Sequence, residues 1–354
     1  MPTLPHLYKS VLIYAVKALM TYQELISKPE YSFLQTNPHI HGRLLFLCIA
    51  GSRAYGTNVE GSDIDLRGVV LDDLPTILGI EPFEQYQDES TDSVIFGLSR
   101  FINLARAGNP AIIELLFLRK EDYLYISPLG QILLDNRDAF LSTRVIATYT
   151  GFANSQLNRL DNALVSKDKA LTDLEKLQHV QRSVENTIGS FTIKEEENGT
   201  IHTYVDESSM SIKADINLKA FPLPRLKKLG DAIGDVMQSY GKKHRNQTKQ
   251  APKDDAHLNK HMLHLIRLYV TLIDLLETGE LHVYREKEHD LLMDIRSGKY
   301  RDENGGVSKE FRKMVAAYQL KISQLKKNTA LKESVDTDAI NNMLLDIYRQ
   351  GGIS

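Results

Sequence analysis

Apolar and polar positions divide the chain into a first part rich in strands and a helical remainder. Apolar runs of strand length predict strands at residues 41–50 and 63–71, and a third run predicts a strand at 92–96. Residues 72–91 lie between the second and third strands and are polar and acidic. We expect a solvated loop with little regular structure there.

Helical spacing of apolar residues predicts a leading helix at 6–27 and another helix at 98–107. Gly108 is expected to stop that second helix. The Asn-Pro pair that follows is expected to cap the next helix, which should run to residue 118. The strands are therefore followed by two closely spaced helices.

From residue 133 onward, apolar positions recur at helical spacing. Helices are predicted at 145–164, 171–187, 224–240, 255–276, 309–326 and 337–349. Residues 190–217 interrupt this series with alternating Thr, Val, Ile and Tyr, which is typical of either a β-hairpin or a flexible insertion. We predict an α+β fold: a small mixed β-sheet domain with helices on one side, residues 1–138, then a mainly helical domain, residues 139–354, with an insertion near 190–250.

Composition narrows the class of protein. The chain of 354 residues is long enough for two domains, and 42% hydrophobic with 25% charged residues is ordinary for a globular protein. A net charge of -3 argues against a generally basic surface, so any RNA contact should be a local patch. The single cysteine, Cys48, lies in an apolar run and is expected to be a buried spectator.

The start of the chain lacks the pattern of a signal peptide, and no apolar run reaches the roughly 20 residues of a membrane span. We therefore expect a cytoplasmic protein with no membrane partner. The oligomeric state is not indicated by the sequence.

The candidate chemistry lies where the first predicted strand ends. Gly51 and Ser52 end the apolar run, and after a ten-residue polar interval Asp63 and Asp65 flank Ile64. Alternate residues of an extended strand share one face, so both carboxylates should lie together. Mg²⁺ prefers such oxygen ligands, while a Gly-Ser turn lets the backbone and a hydroxyl approach a phosphate. The pattern indicates a metal-dependent phosphoryl-transfer site.

A third carboxylate on a neighbouring strand would complete such a site. Asp92, directly before the third predicted strand, is the first candidate, and Asp88 is the alternative. By position alone, an aspartate before a strand is more often a turn residue.

A helix in the second half carries a second candidate feature. Lys260, His264 and Arg267 follow i, i+4, i+7 spacing and share one helical face. Such a face would suit a polyphosphate, since Arg offers a fixed fork of donors and Lys a mobile charge, but a solvated cationic face fits the spacing equally well. A zinc site at His257, His261 and His264 is not expected, because no cysteine accompanies them and Lys260 would repel the cation.

These residues carry a family resemblance. Gly-Ser followed by Asp-x-Asp resembles the polymerase-β-like nucleotidyltransferase superfamily. The strings Gly-Ser-Arg-Ala-Tyr-Gly-Thr at 51–57 and Ser-Asp-Ile-Asp-Leu-Arg-Gly-Val at 62–69 are similar to one branch, the RNA-repair-pathway (RlaP-like) family of bacteria and phages. Further similarity lies at 108–116, where we favour a structural role for Glu114, and at 258–347.

The resemblance implies a polymerase-β palm-like domain and an enzyme that moves a nucleoside monophosphate from a nucleoside triphosphate, such as ATP, to a hydroxyl acceptor with release of pyrophosphate. It implies that two Mg²⁺ ions, or Mn²⁺ as a substitute, are held by three carboxylates: Asp63, Asp65 and Asp92. The family spacing before a Leu-x-x-Phe helix favours Asp92 over Asp88. The residues expected to bind the nucleotide are Gly51, Ser52, Arg53, Lys260, His264 and Arg267.

The acceptor implied by the family is an RNA or tRNA end. Modification of a protein, as in toxin–antitoxin pairs, modification of a small molecule and a non-catalytic nucleotide- or RNA-binding role are the alternatives. The short basic run at 241–249 is either a solvated loop, a phosphate or RNA contact, or a lid over the triphosphate.

Overall fold

The chain folds into two compact units. The computed structural model describes residues 21–80, 82–167, 173–189, 199–245, 255–303 and 306–352. Unit 1 takes the described residues within Met1–Phe152, Arg267–Met293 and Val315–Ser354, and unit 2 those within Ala153–Ile266 and Asp294–Met314. This grouping by contacts does not test the predicted division into domains 1–138 and 139–354, which stays a prediction.

A five-stranded mixed sheet organises unit 1. Its strands are β1 (Leu44–Ile49), β2 (Leu66–Val70), β3 (Gln85–Asp88), β4 (Ser93–Gly97) and β5 (Tyr123–Ile126), in the order β3-β4-β2-β1-β5. Only β2 and β4 run parallel, while the other neighbours are antiparallel. All residues of β1 are buried, which explains its continuous apolar sequence. The predicted α+β class with a mixed sheet is confirmed.

Helices make up most of the remaining described residues. In chain order they are α1 (Tyr22–Ile26), α2 (Phe33–Thr36), α3 (Gly51–Tyr55), α4 (Leu74–Leu78), α5 (Leu98–Arg106), α6 (Pro110–Ile113), α7 (Pro128–Asp135), α8 (Arg144–Lys167), α9 (Asp173–Gly189), α10 (Leu223–Arg245), α11 (Asp255–Thr278), α12 (His289–Ser297), α13 (Lys309–Leu325) and α14 (Thr337–Gln350). Short 3₁₀ turns lie at Pro29–Tyr31, Glu114–Leu116, Lys120–Asp122 and Arg137–Phe140. No described helix has the length and apolar character needed to cross a membrane.

The predicted loop at 72–91 is wrong, because it contains α4 and β3. Asp73 caps α4 by accepting a hydrogen bond from the backbone N–H of Thr76 at 3.0 Å, and Pro75 occupies the first turn. Strand β3 pairs with β4 in a hairpin whose ends are Asp88 and Ser93. As an edge strand, β3 is only partly buried, so its sequence lacks the apolar alternation that predicts a strand.

Most predicted helices are confirmed, with ends that differ by a few residues. The six helices predicted after residue 133 correspond to α8, α9, α10, α11, α13 and α14, and α5 confirms the helix at 98–107. Of the leading helix predicted at 6–27, the described part is α1, whose Leu25 is fully buried in the core cluster that also contains Leu47 and Leu66. The prediction missed β5, α7 and α12.

Within unit 2, a hairpin occupies part of the segment predicted as either a hairpin or an insertion. Strands β6 (Gly199–Asp206) and β7 (Ser211–Leu218) pair antiparallel, which confirms the hairpin for these residues. A small core cluster packs Val184 and Ile188 of α9 against Leu229 of α10. Residues 190–198 and 246–254 lie outside the described residues, and they include the last four residues of the basic run at 241–249.

Candidate functional site

The turn after β1 is shaped around an aspartate. Gly51 begins α3 with a φ of +63°, a left-handed conformation that favours glycine. A Cβ atom placed on Gly51 would lie 1.7 Å from Oδ2 of Asp65. The carboxylate of Asp65 therefore occupies the space that any larger residue at position 51 would need. The sequence predicted Gly51 as a phosphate contact, and the structure adds this second reason for a glycine.

Replacing Gly51 with Ala should destabilise the protein and displace Asp65. Gly42 provides a matched control, because its φ is +73° and nothing lies within 4 Å of a Cβ built there. Gly42→Ala should cost about 1–2 kcal/mol for the left-handed backbone alone, and Gly51→Ala should cost about 1–3 kcal/mol more for the steric contact. Urea unfolding measures both, and equal losses in the two variants would contradict the contact with Asp65.

Asp63 and Asp65 lie in the segment immediately before β2, so the strand predicted at 63–71 starts three residues later than expected. Asp63 is exposed, whereas the side chain of Asp65 is 25% exposed. The backbone N–H of Ala50 donates to the carbonyl of Asp65 at 2.8 Å, which fixes this segment against the end of β1. The carboxylate of Asp65 therefore lies beside the Gly-Ser turn.

Arg53 ties α3 to the segment that carries the aspartates. Its Nη2 donates to the carbonyl of Ser62 at 2.9 Å, and its Nε donates to the carbonyl of Asp63 at 3.3 Å. The guanidinium of Arg53 thus positions the backbone at Asp63. Its predicted contact with a nucleotide stays a prediction.

Asp92 lies next to Asp65 because β4 pairs with β2. The backbone N–H of Leu66 donates to the carbonyl of Asp92 at 3.2 Å. Asp92 has a φ of 45°, a left-handed conformation that aspartate tolerates better than most residues. The alternative, Asp88, instead accepts hydrogen bonds from the backbone and side chain of Ser90, which lower the pKa of Asp88. Asp92 is thus brought close to Asp65 by the strand pairing, and its role as the third carboxylate stays a prediction.

Arg67 bridges two of the predicted site residues. Its Nη2 lies 3.0 Å from Oδ1 of Asp92 and 3.7 Å from Oδ1 of Asp65. Sequence reasoning did not single out Arg67. The signal was nonetheless present, since Asp63, Asp65 and Arg67 alternate and alternate positions of an extended segment share a face.

The carboxylates have the chemistry that a magnesium site needs. Among the described residues, no group of three or more His, Cys, Asp or Glu side chains is close enough to hold a metal ion. Asp65 and Asp92 nevertheless converge on one positive charge, the guanidinium of Arg67. Their oxygen atoms are the hard ligands that Mg²⁺ prefers, and Arg67 shows that a cationic group fits beside both. Asp65 and Asp92 thus offer two such oxygen ligands, and the magnesium site stays a prediction.

A buried network of charged and hydroxyl groups contacts Tyr55, the last residue of α3. Glu114, with 2% of its surface exposed, accepts hydrogen bonds from the hydroxyls of Tyr55 at 3.0 Å and Tyr149 at 3.1 Å. Arg267 donates from Nη1 to the same carboxylate at 2.8 Å and stacks on the ring of Tyr55, 3.9 Å from its centroid. The favoured structural role of Glu114 as a hydrogen-bond acceptor is confirmed.

The ionisation states in this network follow from burial and from its one ion pair. Burial raises the pKa of Tyr55 and of Tyr149, so both hydroxyls stay protonated and act as donors. Burial alone would lower the pKa of Arg267, but the Glu114 carboxylate raises it above its ordinary value. Arg267 and Glu114 therefore form a buried ion pair.

The three residues predicted to share a cationic face have different surroundings. All lie on α11, but Lys260 is exposed, His264 is partly buried and Arg267 is buried against Glu114. Lys260 and His264 belong to unit 2, whereas Arg267 belongs to unit 1. Their predicted contacts with a nucleotide stay predictions.

A downstream segment also packs on the end of α3. Gly56 ends this helix with a φ of +76°, and a Cβ built there would lie 2.4 Å from the ring of Tyr284. The guanidinium of Arg119 stacks on the same Tyr284 ring, 3.8 Å from its centroid. The backbone N–H of Arg285 donates to the carbonyl of Tyr55 at 3.3 Å. Sequence reasoning missed Tyr284 because this packing joins distant parts of the chain.

Comparison with known families agrees with this geometry. Residues 27–184 match the family model RlaP, described as the RNA repair pathway DNA polymerase beta family. Over these residues, which are fewer than half of the chain, the sequence is similar to the RlaP family. The matched RlaP region contains Gly51, Asp65 and Asp92 but ends before Arg267, and it assigns the chain a nucleotidyltransferase-related role. No curated protein and no solved structure matches the chain.

Proposed function

We propose that this protein transfers a nucleoside monophosphate from a nucleoside triphosphate to a hydroxyl group at an RNA or tRNA end, releasing pyrophosphate. The observation that carries the proposal is the convergence of Asp65 and Asp92 on one positive charge beside the Gly51 turn. A site for phosphoryl transfer needs such a concentration of carboxylates next to a turn that a phosphate can approach. The family match supports the same reaction class.

Each residue has a role in this proposal. Asp63, Asp65 and Asp92 would hold Mg²⁺ ions, which supply charge stabilisation at the attacking and leaving oxygen atoms when bound. Ser52 is partly exposed, so its hydroxyl can donate to a bound phosphate. Arg53 keeps the backbone at Asp63 in place through its hydrogen bonds. The family supports an RNA acceptor, and the net charge of -3 favours a local contact patch for it.

The test is incubation of the purified chain with each triphosphate in turn, labelled at its α-phosphate, with Mg²⁺ and with total RNA or total protein. We expect label to enter RNA, with pyrophosphate released in equal amount. Omission of Mg²⁺ and addition of a chelator should each prevent incorporation. Label in protein would instead identify a protein acceptor, and binding of nucleotide without any incorporation would identify a non-catalytic relative.

A further inference from the structure

We infer that Arg67 is a positioning residue that takes the place of a metal cation between Asp65 and Asp92 until a metal ion displaces it. This inference rests on the proposed function, because it concerns the same carboxylates. The inference goes further in that Arg67 competes with the metal ion for the carboxylates of Asp65 and Asp92.

The contacts of Arg67 hold its guanidinium in one place. Besides the carboxylates of Asp65 and Asp92, it reaches two backbone carbonyls: Nη1 donates to Leu66 at 2.9 Å and to Asp92. The side chain is 22% exposed, so it is held within the site but can be reached from solvent. A planar fork fixed by several acceptors on β2 and at the start of β4 has a defined position.

The positive charge of Arg67 affects how the carboxylates of Asp65 and Asp92 interact. Two carboxylates that approach each other without a cation repel. The charge of Arg67 offsets that repulsion, since its Nη2 faces Oδ1 of both Asp65 and Asp92. Arg67 therefore keeps the two carboxylates together when no metal ion is bound.

The same contacts oppose metal binding. A divalent cation held by Asp65 and Asp92 would compete with Arg67 for these carboxylates, and it would repel the guanidinium at short range. Arg67 must then leave at least one carboxylate. A displaced guanidinium can pair with the phosphates of a bound nucleotide, because Arg binds phosphate groups in the same forked geometry. The protein should therefore bind a metal ion only weakly when no nucleotide is bound.

The test is the affinity of the full chain for Mn²⁺ alone, measured by electron paramagnetic resonance of the free ion. Arg67→Gln should bind Mn²⁺ about two- to fivefold more tightly than the unchanged protein, because the competing charge is gone. Without metal it should unfold at a lower temperature than the unchanged protein, and Mn²⁺ should abolish that difference. Unchanged or weaker Mn²⁺ affinity in a folded Arg67→Gln protein would overturn the inference.

Three further variants make the result interpretable. Arg106→Gln removes one exposed positive charge at the end of α5 and should leave Mn²⁺ affinity unchanged. Arg67→Lys keeps the charge without the fork, so it should fold and bind Mn²⁺ with intermediate affinity, which tests the inference should Arg67→Gln fail to fold. Asp65→Asn should lose Mn²⁺ binding. If Asp65→Asn binds as well as the unchanged protein, the metal site and the proposed function both fail, whereas loss in Asp65→Asn with no gain in Arg67→Gln rejects only the role of Arg67.

Discussion

Asp65→Asn should abolish nucleotidyl transfer while the protein stays folded. The amide has the size of the carboxylate that lies against Gly51, so the packing at this contact is preserved. It lacks the charge that a magnesium ion and Arg67 both require, and removal of a metal ligand of this kind typically lowers the rate by about 100-fold or more. The measurement is incorporation of labelled nucleotide, with urea unfolding as the check on the fold.

Neighbouring carboxylates supply the comparison. Asp63→Asn and Asp92→Asn should show the same loss as Asp65→Asn, because all three are assigned to one metal site. Asp88→Asn should keep full activity, since Asp88 accepts hydrogen bonds from Ser90 within the hairpin turn. Retention of more than a few per cent of activity by Asp65→Asn would refute the assignment, and loss in Asp88→Asn alone would make Asp88 the third carboxylate.

Arg267→Met should lower the free energy of unfolding by about 3–5 kcal/mol, because it leaves the carboxylate of Glu114 buried without its positive partner. Glu114 has 2% and Arg267 has 6% of its surface exposed, so water cannot replace the lost contact. The methionine side chain keeps most of the packing on Tyr55. Urea unfolding monitored by circular dichroism measures the change.

Two controls separate the ion pair from other effects. Lys260→Met removes an exposed charge from the same helix and should change stability by no more than about 0.5 kcal/mol. The double variant Glu114→Gln with Arg267→Met should recover part of the loss, since it buries no charge and the amide oxygen can still accept from one of the two tyrosine hydroxyls. If Arg267→Met weakens nucleotide binding at unchanged stability, Arg267 is a nucleotide contact, as the sequence first suggested.

Local sequence predicted those parts of the fold that local physics determines. The strands β1, β2 and β4 were found because they are buried and therefore apolar along their length. Strands β3 and β5 were missed because they are short edge strands whose residues are only partly buried. Their stability comes from pairing with β4 and β1, which no local pattern reveals.

The candidate site divides in the same way. Alternation in the sequence predicted that Asp63 and Asp65 share a face, and this stays a prediction. The bridge from Arg67 to Asp92 depends on β4 lying parallel to β2. Helical spacing identified the face that carries Arg267, but spacing alone does not reveal that Arg267 donates a hydrogen bond to Glu114. Both the Arg67–Asp92 contact and the Arg267–Glu114 contact join segments that are distant in the chain, so neither could be predicted from local sequence.

The ion pair between Glu114 and Arg267 also has a consequence for synthesis, because the two residues are 153 positions apart in the chain. At the usual rate of about 5–20 residues per second, a ribosome needs roughly 8 to 30 seconds to pass from one to the other. Throughout that interval the nascent chain already contains Gly51, Tyr55 and Glu114 but lacks Arg267 and Tyr284. The segment around Gly51, Tyr55 and Glu114 is thus translated well before Arg267 and Tyr284, which pack against it. The contacts of Tyr55 and Glu114 with Arg267 can form only after α11 has left the ribosome.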